Sequence, residues 1–293
     1  MNWVIVLNKP KGLTSQEAVT KIKRIFKVKK AGHAGALDPM ATGVLLVCLN
    51  EATKITPFLI ELDKEYVFKA RFGVSTDSYD AEGKITKVVD NFEIERVKVE
   101  QTVKKYIGEI MQLPPMYSAV KIDGTPLYKL ARKGVEVERK PKKVTVYSIE
   151  IEEFVPPFVT FKVSCSKGTY IRTLCHDIGE DLGVGAHIVE LVRTKVGKFT
   201  VEEAVKLESL KDDLNSSKGS ILTIDNALYF LPSVVVPEQL KQRFLNGNPV
   251  KIPFGVVPSG VVKVKDNTGR LLGVGYGNGM IVKPERIIWE DKL

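Results

Sequence analysis

Cysteine is scarce in this chain of 293 residues: Cys48, Cys165 and Cys175 are the only three, and no two form a CxxC pair. That excludes a disulfide framework. Cys165, Cys175 and His176 come nearest to a metal-ligand set, but their spacing fits no common zinc pattern, so no metal is expected. Long apolar runs are missing too. None approaches the roughly 18 residues of a membrane-spanning helix. The start, Met1-Asn2-Trp3-Val4-Ile5-Val6-Leu7-Asn8-Lys9, has neither a basic n-region nor a long apolar stretch. It is read as a first strand rather than a signal peptide, and a cytoplasmic location is the default expectation. A cofactor loop is also lacking. The run Gly273-Val274-Gly275-Tyr276-Gly277-Asn278-Gly279 does not fit GxGxxG and no helix is expected after it, which excludes a dinucleotide site. No internal repeat or low-complexity segment is present.

What remains is an ordinary globular composition, 44% apolar and 27% charged, at a length that predicts about two domains. The formal charge is +9, and the excess is clustered. Residues 1–30 carry Lys9, Lys11, Lys21, Lys23, Arg24, Lys27, Lys29 and Lys30 against Glu17 alone. Residues 129–143 carry Lys129, Arg132, Lys133, Arg139, Lys140, Lys142 and Lys143 against Glu136 and Glu138. Two separate basic clusters favour a nucleic-acid partner over a merely solvated lysine face.

Thr14-Ser15-Gln16-Glu17 is a capping box. The helix it opens places Ala18, Ile22, Ile25 and Phe26 on one face and is expected to end near Gly32. Residues 44–49 read as a strand buried on both faces, and a short helix is expected over 52–62. Strands are predicted over 66–72, 84–89, 116–122, 142–154 and 158–164, with helices over 95–106 and 170–182. Residues 186–196 read as mixed, only partly strand. Asp123-Gly124 is turn chemistry, and residues 212–220 form a polar loop. Helices interspersed with hairpins argue for an α+β fold. The clearest boundary falls near Leu231-Pro232, giving domains over 1–231 and 232–293, the second a small, partly closed β-barrel.

The stretch most able to carry chemistry is Gly32-His33-Ala34-Gly35-Ala36-Leu37-Asp38-Pro39-Met40-Ala41-Thr42-Gly43. Pro39 fixes its own φ and biases Asp38 away from helical geometry. Gly32, Gly35 and Gly43 permit backbone shapes and close approaches that a Cβ forbids. A carboxylate held in such a loop is a candidate nucleophile or acid/base. An ordinary turn aspartate is the competing reading.

That stretch resembles the catalytic-aspartate motif of the bacterial tRNA pseudouridine-55 synthases of the TruB type. Further matches follow in order: Leu7-Asn8-Lys9-Pro10-Lys11-Gly12, Asp63-Lys64-Glu65-Tyr66, Met116-Tyr117-Ser118-Ala119-Val120-Lys121 with Leu127-Tyr128, Ser166-Lys167-Gly168-Thr169-Tyr170-Ile171-Arg172-Thr173, Gly185-Ala186-His187 and Leu191-Val192-Arg193. The tail resembles a PUA domain more weakly. The resemblance implies a pseudouridine synthase fold, a mixed and mainly antiparallel sheet flanked by helices, with a PUA-like C-terminal barrel. It implies isomerisation of the T-loop uridine at the position conventionally numbered 55. It implies tRNA, through its T stem-loop, as the partner of a monomer, with no cofactor, no membrane and no obligate protein partner.

By the same resemblance Asp38 is the catalytic aspartate, Arg172 the arginine that pairs with it, and Tyr66 an active-site tyrosine able to stack on the uracil. His33 fills the space of the extruded base, while Tyr170 and Leu191 contact that base, Leu191 through its main chain. Lys9, Asp77, Tyr117 and Lys121 match elements near the cleft and are candidate RNA-binding residues. Asp77-Ser78-Tyr79-Asp80 departs slightly from the Thr-Asp-Thr-x-Asp pattern of that segment. Two alternatives remain open: the same chemistry on another RNA, and an RNA-folding or RNA-binding protein with secondary catalysis.

Overall fold

The computed structural model describes residues 1–118, 120–122, 124–212, 218–253 and 256–288. The turn expected at Asp123 and most of the polar loop over 212–220 lie outside the described residues, as do Ala119 and residues 289–293. The central feature is an eleven-stranded sheet. Its main path runs Val205–Lys206, Trp3–Lys9, Thr42–Leu49, Ala186–Val196, Lys64–Phe72, Phe158–Cys165, Lys142–Val155 and Gly108–Gln112. Most pairings are antiparallel. Two are parallel, those of Trp3–Lys9 with Val205–Lys206 and of Thr42–Leu49 with Ala186–Val196. The expected α+β class, a mixed and mainly antiparallel sheet with helices, is what the chain forms.

The Thr42–Leu49 strand shows why the sheet sits at the centre. Leu45, Val47 and Leu49 point into one hydrophobic cluster, whereas Val44, Leu46 and Cys48 point into another on the opposite face. This is the period-two alternation of a strand, here with both faces apolar. Fully burying each such aliphatic side chain contributes roughly 1.5–3 kcal/mol. The first cluster is covered by the Ser15–Ile25 helix through Ala18, Val19 and Ile22, and by the Ile171–Asp181 helix through Leu174, Cys175 and Ile178. The capping box forms as read: the Thr14 hydroxyl accepts from Glu17 N, and a Glu17 carboxylate oxygen accepts from Thr14 N.

Four expectations are corrected. The first helix ends at Ile25 rather than near Gly32, since Lys27 takes a φ of 49° and Ala31–His33 becomes a short strand beside Thr42–Leu49. Residues 186–196 form one continuous strand, because the backbone stays paired to Lys64–Phe72 along its length and the polar His187 and Arg193 are buried with bonds to backbone carbonyls. Among the described residues of 116–122 only Lys121–Ile122 is strand: Tyr117 O bonds Arg172, while Ser118 O and Val120 O accept from Tyr128 N and Leu127 N. Within 52–62 the chain is helical only to Ile60, as a 3₁₀ turn over Asn50–Ile55 followed by Thr56–Ile60.

A second, five-stranded sheet curls into a half-barrel, in the order Ser233–Val235, Val257–Lys265, Leu271–Gly279, Ile281–Ile287 and Val250–Lys251. Its path is open rather than closed, with its own core of Val262, Val264, Leu272 and Val282. It packs on the second face of the main sheet through Leu271, Val274 and Ile288. Lys54 Nζ also donates to Ile287 O at 2.7 Å. Among the described residues no helix is long and apolar enough to cross a membrane.

The close approach of Thr42–Leu49 to Ala186–Val196 positions the site. Only Thr42 and Gly43 pair there, with Val192 and Arg193. Gly43 has φ 98°, and a Cβ on it would lie 2.2 Å from Arg193 O. Substituting Gly43→Ala is expected to destabilise the fold by about 2–5 kcal/mol, the sum of overpacking and left-handed strain. Chemical denaturation of the two proteins checks this, and an unchanged midpoint would contradict it.

Candidate active site

Residues 34–41 join the short Ala31–His33 strand to Thr42–Leu49 and carry Asp38. Glycine gives this loop its shape, with Gly35 at φ 90°. Gly32 needs neither a positive φ nor a close approach within the chain. The rigidity comes from elsewhere: side chains distant in sequence take up its carbonyls. Arg193 donates to Gly35 O at 3.0 Å and Ala36 O at 3.2 Å. The Ser15 hydroxyl donates to Leu37 O at 3.0 Å and accepts from Leu37 N at 2.7 Å. Lys9 Nζ donates to Pro39 O at 3.3 Å, an oxygen that also accepts from Gly12 N at 2.8 Å. Leu37, Met40 and Ala41 anchor the loop in the core. Hydrogen bonds from charged donors contribute about 1.5–3 kcal/mol each, so the frame around Asp38 is set before any substrate arrives.

Lys9 is therefore not at an RNA-facing surface. Its side chain is fully enclosed, with further bonds to Pro10 O at 2.9 Å and Leu13 O at 2.7 Å. Burial pushes its pKa down to about 8, with the Asp38 charge pulling the other way, so it remains an ammonium at neutral pH.

Arg172 is the second residue of the Ile171–Asp181 helix. A cation is disfavoured in a first helical turn, and two carboxylates compensate for it here. Nε meets Asp38 Oδ2 at 2.9 Å and Nη2 meets Asp38 Oδ1 at 3.1 Å, a side-on bidentate pair. Nη2 also donates to Tyr117 O at 2.7 Å, while Nη1 donates to Ser78 O at 3.0 Å and Asp80 Oδ2 at 3.2 Å. These five bonds use all five guanidinium N–H groups. Asp80 is itself fixed, its Oδ1 accepting from Ser78 Oγ at 2.6 Å and Glu82 N at 3.0 Å.

The two carboxylates differ in access. The Asp80 side chain is 5% exposed and that of Asp38 is 38% exposed. Asp38 is thus the open end of a closed ionic network. The surrounding protein raises its pKa above the ordinary aspartate value, with Asp80 acting in the same direction and Arg172 opposing both. The bidentate guanidinium favours the ionised form, the form that attack on carbon or removal of a proton requires.

Tyr66 lies directly opposite Arg193 across the Lys64–Phe72 and Ala186–Val196 strands. Burial raises its phenol pKa, the Arg193 guanidinium beside it opposes that shift, and Asp38 adds to it. His33 keeps a neutral ring, because burial and then the Arg193 charge lower its pKa, and its Nδ1 is buried with no hydrogen-bond partner. Tyr170 is half-buried and caps the Arg172 helix. Its main chain is held on both sides by Gln112, whose Oε1 accepts from Tyr170 N at 2.6 Å and whose Nε2 donates to Tyr170 O at 2.9 Å. Leu191 packs its side chain in the main core and leaves its backbone in the strand beside Phe68.

The structure thus brings Asp38, Arg172 and the Tyr117 backbone together, with Tyr66 near enough to feel the Asp38 charge. Asp77, on the surface, accepts from Lys84 N at 2.8 Å, and its charge adds to burial in raising the Tyr117 phenol pKa. Lys121 is exposed and apart from this network. Two participants carry no role in the sequence reading: Asp80, the second carboxylate on Arg172, and Arg193, which braces the loop. Both stand inside quoted stretches, so residue type and proximity to a motif were the only available signals. Among the described residues no group of three or more His, Cys, Asp or Glu is placed to hold a metal.

The fold has solved counterparts. The chain is similar to a structure described as a Cbf5-Nop10-Gar1 complex, with a TM-score of 0.77 and 30% identity over 98% of this chain and 85% of that one. It is also similar to one described as an H/ACA RNP bound to a substrate RNA containing 2'-deoxyuridine, with a TM-score of 0.75 and 28% identity over 98% and 85%. A mixed sheet of this topology with a carboxylate–guanidinium pair at its centre defines a pseudouridine synthase fold. Family models match nearly end to end: the N-terminal domain of the TruB family pseudouridylate synthases over residues 23–171, the tRNA pseudouridylate synthase B C-terminal domain over 172–235, and the C-terminal region of pseudouridine synthase II TruB over 232–288. The chain belongs to the TruB family of pseudouridylate synthases. Its relatives include the tRNA pseudouridine synthase B of Clostridium tetani, 46% identical over 100% of this chain and 94% of the relative. That of Dechloromonas aromatica is 42% identical over 98% and 96%.

Proposed function

We propose that this chain is a tRNA pseudouridine synthase, an isomerase that converts the T-loop uridine at conventional position 55 to pseudouridine. The observation that carries the proposal is the Asp38–Arg172–Asp80 network, in which one carboxylate alone is open to a ligand. In the reaction the C1′–N1 bond breaks and its electron pair leaves with the uracil. Asp38 either attacks C1′ or takes a proton from C2′. The uracil turns and C5 bonds to C1′ as the Asp38–C1′ bond breaks or, on the second route, as the proton returns to C2′; the C5 proton is then lost and N1 regains a proton. Atoms and charge balance, so no redox carrier or energy donor enters.

We assign the Tyr66 ring to stacking on the extruded base, and its phenol is the candidate acceptor of the C5 proton. His33 occupies the space left by that base, and Tyr170 with the Leu191 backbone lines the pocket. Unstacking a base costs a few kcal/mol, which phosphate contacts offset. Lys21, Lys23, Arg24, Lys27, Lys29 and Lys30 are exposed and, among the described residues, take part in no ion pair. We assign them, with the exposed bases near Lys129 and Lys133, to the phosphate-facing surface. We assign Asp77, Tyr117 and Lys121 to the same surface as the second group. We take residues 1–231 as the catalytic domain and 232–293 as a PUA-like RNA-binding domain, in a monomer that needs no protein partner.

An isolated T-arm stem-loop is expected to be a sufficient substrate, since RNA loops are read by shape and by splayed bases. Pseudouridine mapping of T-arm RNA, whole tRNA and ribosomal RNA fragments tests this. Conversion of ribosomal fragments alone would overturn it. If about six phosphates are neutralised, log K against log salt has a slope near −4 to −5. Binding indifferent to salt would remove the basic segments from the interface.

A further inference from the structure

Arg193 heads the large side chains sealed in the interior, at 1% exposure. No carboxylate among the described residues lies within ion-pair distance of it. A buried cation with no counter-ion carries a heavy desolvation penalty that an apolar residue of similar volume avoids. Its hydrogen bonds show where that penalty is offset. Nε donates to Val44 O at 2.7 Å, and the two Nη atoms donate to Ala36 O and Gly35 O. Those last two carbonyls belong to residues two and three positions before Asp38. The guanidinium charge also acts on the Tyr66 phenol, opposing the rise in pKa that burial causes. Tyr66 and Arg193 are directly opposed cross-strand partners, so their side chains project from the same face. One planar, pre-organised group therefore holds the turn that carries Asp38 and stands beside the ring assigned to the base.

We propose that Arg193 is a positioning residue that holds the Tyr66 phenol in register with the Asp38 carboxylate by bracing both on one guanidinium. The inference rests on the roles given above to Asp38 and Tyr66. Lysine at this position keeps the charge but offers neither the fork nor the reach to serve three carbonyls and a phenol.

The test is single-turnover conversion of T-arm RNA by full-length Arg193→Lys, Tyr66→Phe and the double variant, with RNA affinity measured for each. Arg193→Lys is expected to slow conversion about 100-fold while affinity changes less than about threefold. The double variant is expected to be no more than about threefold slower than the slower single variant, because both substitutions break one coupling. Effects that multiply, or an Arg193→Lys rate equal to wild type, would overturn the proposal. Asp38→Asn run alongside separates the two layers. Normal turnover by that variant removes the assigned reaction centre, whereas multiplicative effects beside an inactive Asp38→Asn remove only the role of Arg193. If Arg193→Lys does not fold, nitrogen-15 spectra of the arginine side chains in Tyr66→Phe decide. A slowly exchanging buried guanidinium must shift when the phenol is removed, and an unchanged spectrum overturns the coupling.

Discussion

Asp38→Asn is expected to lower conversion of T-arm RNA by at least about 10⁴-fold, the scale seen when a reacting side chain is removed, while RNA affinity stays within a few-fold. The substitution is nearly isosteric, so the loop frame built by Lys9, Ser15 and Arg193 is undisturbed. What changes is chemistry. An amide is neither a nucleophile towards C1′ nor a base towards C2′. It also meets Arg172 badly, because Nε and Nη2 both donate to the Asp38 oxygens and an amide turns its own NH₂ towards one of them. Asp80 still neutralises the guanidinium, which keeps Arg172 and its helix in place. Loss of rate without loss of binding is thus the signature, read by pseudouridine mapping and by RNA titration of the same preparation.

Arg172→Lys carries the second largest effect, a fall of about 10²–10³-fold in single-turnover rate. An ammonium has three donors where the five guanidinium N–H groups now serve Asp38, Asp80, Ser78 O and Tyr117 O. A lysine cannot hold Asp38 side-on and still reach Asp80. The same single charge then sits beside one carboxylate while the other is left without its donors, and the Asp38 oxygens lose their fixed direction. The Tyr117 carbonyl loses its anchor too, which frees the segment around it from the site. A variant that folds and turns over at the wild-type rate would show that charge alone suffices and that the bidentate geometry is idle.

Local signals survived well from sequence to structure. The capping box at Thr14 and Glu17, the doubly buried strand around Val44 and Leu46, and the hairpin over 142–165 depend on residues near one another in the chain. The Asp38 loop was also legible, through Pro39 and its glycines and through the order of motifs from Lys9 to Arg193. What the sequence did not reveal is long-range and polar. Asp80 joins Arg172 across 92 residues, and Arg193 reaches Ala36 O across 157. A side chain bonded to a distant carbonyl leaves no periodic trace, and a buried arginine looks like a surface one until its partners are in place. Lys9 illustrates the same gap: its charge reads as a contact for phosphate, but its ammonium is spent on three carbonyls of the protein. The strand expected over 116–122 failed for a related reason, since Tyr117 O is committed to Arg172 instead of a sheet partner.

The central claim is tested most directly by the structure of Asp38→Asn bound to T-arm RNA. The account predicts the target uridine swung out of its loop, with ribose C1′ about 3–3.5 Å from the side chain at position 38 and uracil lying against Tyr66. A target base still stacked in the RNA, or a ribose held far from that side chain, would contradict it.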